Sequence, residues 1–262
     1  MADQFFTLGW RTFKQDPQIG EWVEHALDAA RAAVADPVNA SWKRHGNTWF
    51  VGVNALGNDP DGSVSGGPPL KGSVIDFIEQ EFQIGSYSWD KAQVSVCYPG
   101  YPKRSHDESE AAHRYRIQRD AGHIDGLLRE GPDRRRFLKE YHGFILGIPM
   151  VDFSHGASPF VVWEKSHEMA RQCFKDLLMN APRDQWSSLD ITEEYHALRR
   201  RIFSKCKRIE IALKPGEVFL VHRLALHGMA PWGSEAKAGP DGRMICYFRP
   251  ELSDPAIWLA AP

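Results

Sequence analysis

Two periods divide this 262-residue chain, and the change from one to the other near Ala92 limits what it can fold into. Before that point apolar residues recur at helical spacing. From Asp16 to Asp36, Ile19, Trp22, Val23, Ala26, Leu27, Ala30 and Ala33 form one stripe, and Asp36-Pro37 ends it. A Gly/Asp/Pro-rich stretch from Gly57 to Pro69 predicts a loop. Ser73 to Phe82 predicts a second amphipathic helix, with Val74, Phe77, Ile78 and Phe82 on one side.

From Ala92 the alternation is that of strands. Ala92–Tyr98, Gly143–Phe153, Ser158–Val162, Arg208–Leu213, Glu217–Leu226 and Arg243–Arg249 all read as extended segments. Helical patterns interrupt them at Ser166–Asn180 and Thr192–Phe203, and Lys214-Pro215-Gly216 predicts a tight turn. There are no repeats and no low-complexity linker. Helices first, then strands broken by helical insertions, fit one α+β domain over residues 1–262, mainly β in its core, as an antiparallel sandwich or barrel. Residues 1–90 would be its mainly helical N-terminal part and 92–250 its β core.

Composition excludes several classes. A formal net charge of −2 gives no global attraction to nucleic acid or anionic membrane. No apolar run approaches a bilayer-spanning helix and the start lacks a signal-peptide pattern, so a cytoplasmic location is expected. Cys97, Cys173, Cys206 and Cys246 are scattered with no C-x-x-C pair, which argues against a thiolate zinc site and a disulfide scaffold.

The chemistry-bearing pattern is His123-Ile124-Asp125, followed far downstream by Leu226-His227-Gly228 and then Arg243. In an extended segment residues i and i+2 point to the same side, so His123 and Asp125 can reach one ion while Ile124 faces away. Two imidazoles and one carboxylate on one face of an octahedral ferrous ion leave three positions open. The bland reading of the tripeptide is a polar turn in which Asp125 caps the Gly126-Leu127-Leu128 segment. His222 competes with His227, but their odd separation puts them on opposite faces of an unbroken strand. His227 is preferred for its Leu-His-Gly context, with His222 as a hydrogen-bonded wall residue. His167 either lines the site or begins a helix. His106, His113 and His155 read as solvated, and Arg134-Arg135-Arg136 as a solvated helix face, the alternative being a lid for an anionic substrate joined by Arg114, Arg116 and Arg119. Trp163, Trp232 and Tyr247 read as core or pocket wall, and the Ala92–Tyr98 strand is expected to border the cavity.

Four segments together resemble the phytanoyl-CoA dioxygenase family of iron(II)- and 2-oxoglutarate-dependent oxygenases. They are His123-Ile124-Asp125; Val161 to His167, where the family usually has Pro-Gly-Ser-His; Lys214-Pro215-Gly216-Glu217-Val218, like its Pro-Gly-Asp turn; and Leu226-His227-Gly228 with Arg243. The resemblance covers about Ala92 to Pro250. Glu164-Lys165 departs from the usual Pro-Gly, and the stretch from His227 to Arg243 is longer than in the family.

The resemblance implies a double-stranded β-helix (jelly roll) flanked by N-terminal and inserted helices. His123, Asp125 and His227 would hold Fe(II), and Arg243 would clasp the distal carboxylate of 2-oxoglutarate, a role suited to a planar guanidinium. Arg249 shares that strand face but lies about 20 Å further along an extended strand, so Arg243 is the residue favoured. The implied reaction couples O2 and 2-oxoglutarate to hydroxylation of a C–H bond in a small molecule, or to desaturation or cyclisation. A carboxylate at Asp125 argues against the related halogenases, which carry a small residue there. The alternative is a non-catalytic jelly-roll binding module, or a cupin-type metalloenzyme that does not use 2-oxoglutarate. Substrate identity and oligomeric state are not legible in the chain.

Overall fold

The computed structural model describes residues 3–82 and 87–260. The N-terminal part comprises α1 (Gln4–Leu8), β1 (Trp10–Phe13), α2 (Pro17–Ala35), β2 (Lys43–Arg44), β3 (Trp49–Phe50) and α3 (Ser73–Glu81). Next come β4 (Gln93–Cys97), α4 (Glu110–Gln118), β5 (Leu127–Glu130), β6 (Arg135–Leu138), β7 (Phe144–Pro149), β8 (Phe160–Trp163) and α5 (Ser166–Leu178). The chain continues through α6 (Thr192–Lys205), β9 (Arg208–Ile211), β10 (Val218–His222), β11 (His227–Met229), β12 (Arg243–Phe248) and α7 (Pro255–Ala260). Short 3-10 turns lie at Pro37–Trp42 and Arg183–Ser188.

Local chemistry sets the helix ends. Asp16 caps α2 by accepting from the Gln18 N–H at 3.0 Å, and Pro17 occupies the first turn, where no N–H partner is lost. The same carboxylate reaches across to the Ser73 N–H at 2.7 Å and caps α3, whose own N-cap is Gly72. The α2 helix ends at Asp36, extended as a residue before proline should be.

The strands form a seven-stranded antiparallel sheet in the order β1-β10-β7-β12-β4-β3-β2 and a three-stranded antiparallel sheet, β11-β8-β9. The hairpin β5-β6 stands apart. Both faces of the large sheet are covered. Leu146, Ile148, Leu220, Cys246 and Phe248 join the cluster that holds Trp22 and Val23 of α2 and Ile78 of α3. The alternate residues Ile145, Phe219, Val221 and Ile245 meet Phe160, Val162 and Ile211 of the smaller sheet. Period-2 side-chain alternation therefore builds two cores at once, and each fully buried large side chain contributes ~1.5–3 kcal/mol. Gly147 faces Phe219 across the ladder, and a Cβ there would fall 2.1 Å from the phenyl ring.

Most expected elements occur within a few residues of their sequence signals. The exceptions are local. The N-terminus opens with α1 and β1 ahead of the first long helix, and β1 completes the large sheet by pairing with β10. The polar stretch Tyr101–Asp120 contains α4. Arg134–Arg136 lie on no helix: Arg134 occupies a turn with φ 53°, and Arg135 and Arg136 belong to β6. The segment 217–226 is not one strand. It turns after His222, where Ala225 N–H donates to the His222 carbonyl, and resumes as β11 in the other sheet. Among the described residues no helix is long and apolar enough to cross a membrane.

Candidate metal centre

The first histidine is placed by a backbone that crosses the end of β11. Asp120 and Ala121 take left-handed conformations with φ 51° and 52°, and the Asp120 carboxylate is clasped by Arg208 at 2.7 and 2.8 Å. The His123 N–H then donates to the His227 carbonyl at 2.8 Å, and the His227 N–H returns the bond to the His123 carbonyl at 2.9 Å. In an antiparallel pair joined this way the two side chains emerge on the same side. Their rings lie 4.6 Å apart. Gly228 allows the approach, because a Cβ there would fall 2.2 Å from the Asp120 carbonyl oxygen. The Leu-His-Gly context therefore has a steric reason.

Each imidazole is oriented by its own backbone. His123 Nδ1 lies 3.0 Å from the Ala121 carbonyl and His227 Nδ1 lies 3.0 Å from the Ala225 carbonyl. A carbonyl oxygen only accepts, so Nδ1 carries the proton and Nε2 offers a lone pair. Asp125 Oδ1 meets both, 3.3 Å from His123 Nε2 and 3.5 Å from His227 Nε2, and the three ligand atoms all lie within 4.8 Å of one another. Cis donors around an octahedral ion with bonds of about 2.1 Å stand about 3 Å apart, so this donor set fits one face of such an ion. The other carboxylate oxygen, Oδ2, accepts from Arg249 Nη1 at 3.2 Å.

Protonation follows the same logic. Burial would raise the Asp125 carboxyl, but the facing His227 and the Arg249 guanidinium hold it well below the ordinary range. His123 opens to the cavity, yet the surrounding protein and the neighbouring His227 hold it below its usual value. An ionised carboxylate beside a neutral imidazole is the state in which both can ligate a metal.

The three ligands open into a cavity of about 200 Å³ walled by Phe160, Ile145, Tyr101, Met229 and Tyr247, with Phe160 stacked on the His227 ring at 5.5 Å. Ser95 and Gln93 of β4 border it as expected for that strand. Trp49 and Val51 also line it. Sequence reasoning missed both: Trp49 lies in the two-residue β3, too short to show a period, and Val51 follows it outside any strand. A second cleft, about 310 Å³, shares Gln93, Tyr247 and Arg249 with this cavity and carries Asp90, Glu140 and Glu251.

Arg243 is fully buried. It donates to the Tyr247 hydroxyl at 3.1 Å and approaches Met229 Sδ at 3.8 Å, while its Nε has no partner. Among the described residues no carboxylate lies within 4.0 Å of it. The Tyr101 hydroxyl is likewise buried and unpaired. Arg243 does not itself line the cavity but contacts Tyr247 and Met229, which do. Arg249, ranked behind Arg243 for its distance along the strand, lines the cavity and donates to Asp125, one of the three candidate metal ligands.

The remaining candidates lie elsewhere. His222 is buried beside His167 at 4.9 Å, with Arg171 Nη2 2.9 Å from its Nε2, and has no place in the cluster. His167 begins α5 and meets the Phe6 carbonyl at 3.1 Å, so it starts a helix and does not line the cavity. His113 is not solvated: it stands 3.6 Å from Glu108, which also binds Arg116. Arg135 is tied to Asp190 and Glu193, and the Arg134–Arg136 run does not border the cavity. Lys165, where the family usually has glycine, adopts the left-handed turn itself at φ 63°. All four cysteines are free, and burial pushes Cys97 and Cys246 up to about 12.

No family model matches the chain, and no curated protein matches it. Solved structures with some likeness include the non-heme alpha-ketoglutarate-dependent carbocyclase SnoK from nogalamycin biosynthesis, at 11% identity over 97% of this chain and 85% of that one, with TM-score 0.49. EctD from S. alaskensis, crystallised with 2-oxoglutarate and 5-hydroxyectoine, is 12% identical over 94% of this chain and 73% of its own, with TM-score 0.42. HygX from Streptomyces hygroscopicus, with nickel, 2-oxoglutarate and hygromycin B bound, is 11% identical over 95% and 85%, with TM-score 0.40. At these values the likenesses assign neither an activity nor a fold, and the chemistry must rest on the residues of the site.

Proposed function

We propose that this chain is an iron(II)- and 2-oxoglutarate-dependent dioxygenase that oxidises a C–H bond of a small molecule, built as a single domain on a double-stranded β-helix. The observation that carries the reading is the convergence of His123 Nε2, Asp125 Oδ1 and His227 Nε2 at the mouth of a cavity. These residues would hold the metal, which with bound 2-oxoglutarate supplies the activation of O2.

The protein's own part is positioning. Arg249 occupies Asp125 Oδ2, which leaves one carboxylate oxygen for the metal and keeps the other ligand positions free. Arg243 supplies a buried guanidinium with no anionic partner and an unpaired Nε, and Tyr101 a buried hydroxyl with no partner. An unpaired buried cation is costly, and a dicarboxylate co-substrate would supply the missing anion. Phe160, Ile145 and Trp49 exclude water from the target bond.

Anaerobic addition of Fe(II) and then 2-oxoglutarate tests the proposal. A weak visible charge-transfer band is expected, followed in air by succinate formation. Metal binding with no band and no succinate would instead indicate a metalloprotein of the cupin type. Failure to bind metal would indicate a non-catalytic binding module.

A further inference from the structure

Away from the metal cavity, α4 and α6 flank a groove of about 520 Å³ whose lining is strongly basic. Arg119, His196, Arg199 and Arg200 line it with Tyr115 and Phe203, and no acidic side chain contributes. The chain as a whole is slightly acidic, so this is a local concentration of charge. Other arginines of the fold find carboxylates: Arg116 binds Glu108, Arg135 binds Asp190, and Arg208 binds Asp120. Among the described residues, Arg119, Arg199 and Arg200 have no carboxylate within 4.0 Å. Glu193, one turn before His196, is drawn to Arg135 instead.

The cations are held in place. Arg199 donates to the Tyr115 hydroxyl at 2.8 Å, and its guanidinium lies 5.0 Å from the Tyr115 ring centre and 4.8 Å from that of Tyr195. Its Nε is shielded from solvent and has no partner. Arg119 sits 4.9 Å over the Phe203 ring. Behind them, burial and the neighbouring Arg129 push Arg136 down to about 10. Like charges gathered without counter-ions are unfavourable, and guanidinium forks fixed on aromatic faces match phosphate oxygens in geometry.

We propose that this groove binds a small soluble molecule bearing two or more phosphoryl charges, at a site distinct from the metal cavity. The two linings share no residue. The floor nonetheless belongs to the segment that carries the first metal ligand, because the Tyr115 hydroxyl donates to the Gly122 carbonyl at 2.6 Å and the Tyr195 hydroxyl accepts from the Ile124 N–H at 3.1 Å.

Calorimetric titration of the full chain with pyrophosphate and with tripolyphosphate tests the site. Saturable single-site binding is expected at about 0.1 M salt, tighter for tripolyphosphate and weaker as salt rises. Arg119→Gln and Arg200→Gln remove exposed side chains with no ion pair to lose, so folding should survive. Each should weaken binding by about tenfold, the loss of one charge-assisted contact, while Arg135→Gln, outside the groove, leaves it unchanged. Absence of saturable binding by either probe, or undiminished affinity in the Arg119→Gln/Arg200→Gln double variant, would overturn the proposal.

Discussion

His123 and His227 exchange both of their backbone hydrogen bonds, at 2.8 and 2.9 Å, and this isolated bridge aims two imidazoles from distant parts of the chain at one point. The bridge exists only because Gly228 lets the Asp120 carbonyl pass 2.2 Å from where a Cβ would stand. Gly228→Ala must therefore push the 120–123 backbone away, with backbone on both sides and no flexible side chain to yield. The expected result is a loss of about 1–3 kcal/mol of stability, as for overpacking elsewhere, and at least tenfold weaker Fe(II) binding. Thermal unfolding and metal titration measure the two effects. Unchanged metal affinity would mean that the bridge does not set the ligand geometry.

The two arginines of the last strand should separate cleanly. Arg249 is bonded to Asp125, a candidate metal ligand, so Arg249→Ala leaves Asp125 Oδ2 unpaired and should reduce metal affinity by about 10- to 100-fold. Arg243 is bonded to Tyr247 and Met229 rather than to the three candidate ligands, and Arg243→Ala should leave Fe(II) affinity near that of the parent while weakening 2-oxoglutarate by about 10-fold or more. Metal and co-substrate titrations on both variants distinguish the roles. An Arg243→Ala protein that takes up 2-oxoglutarate normally would transfer the clasp to another residue.

That His123, Asp125 and His227 come together was legible because the logic is local. An alternation of two residues places His123 and Asp125 on one side, and Gly228 beside His227 marks a close backbone approach. The position of Arg249 was not legible. Distance along β12 alone favours Arg243, whereas of its residues it is Tyr247 and the long Arg249 side chain that line the cavity, with Arg243 buried against Tyr247. Nor could a rule for an unbroken strand hold for His222 and His227, since the chain changes sheets between them. The strands β1, β2 and β3 are two to four residues long, too short for any period, and β1 and β3 are fixed by pairing with strands far away in sequence, β2 by pairing with β3. The run Arg134–Arg136 carries charge but no periodicity, so nothing in it could separate a helix face from a hairpin.

A single carboxylate caps two helices. Asp16 accepts from Gln18 N–H in α2 and from Ser73 N–H in α3, so Asp16→Ala leaves two helix starts short of an acceptor. At about 1 kcal/mol per cap the loss should be about 2 kcal/mol by denaturant unfolding. Its pH dependence has a definite sign. Burial acts to raise the Asp16 carboxyl, but the hydrogen bonds from Ser73 and Gln18 outweigh it and hold the group below its ordinary value of 3.8. A depressed folded-state pKa gives stability that is present above 3.8 and disappears as the pH falls through the folded value. The difference between parent and Asp16→Ala should therefore be constant at neutral pH and shrink below about pH 4. A difference that persists unchanged into stronger acid would remove the carboxylate from the account.

Lys165 occupies the turn between β8 and α5 with φ 63°, a conformation that costs an L-residue about 1 kcal/mol and glycine almost nothing. Its N–H donates to the Leu8 carbonyl at 2.8 Å, so the turn is tied to the N-terminal segment and cannot relax to an extended shape. Its side chain is exposed and has no ion pair among the described residues. Lys165→Gly restores the residue type the resembling family uses there. It removes the strain but also frees the unfolded chain, and these effects oppose each other. Because left-handed strain is the larger for a residue with a Cβ, the net expectation is a gain of about 0.5 kcal/mol. Lys165→Ala keeps the strain and should show no gain. Equal stability of the two variants in urea would mean that the turn is not strained by its side chain.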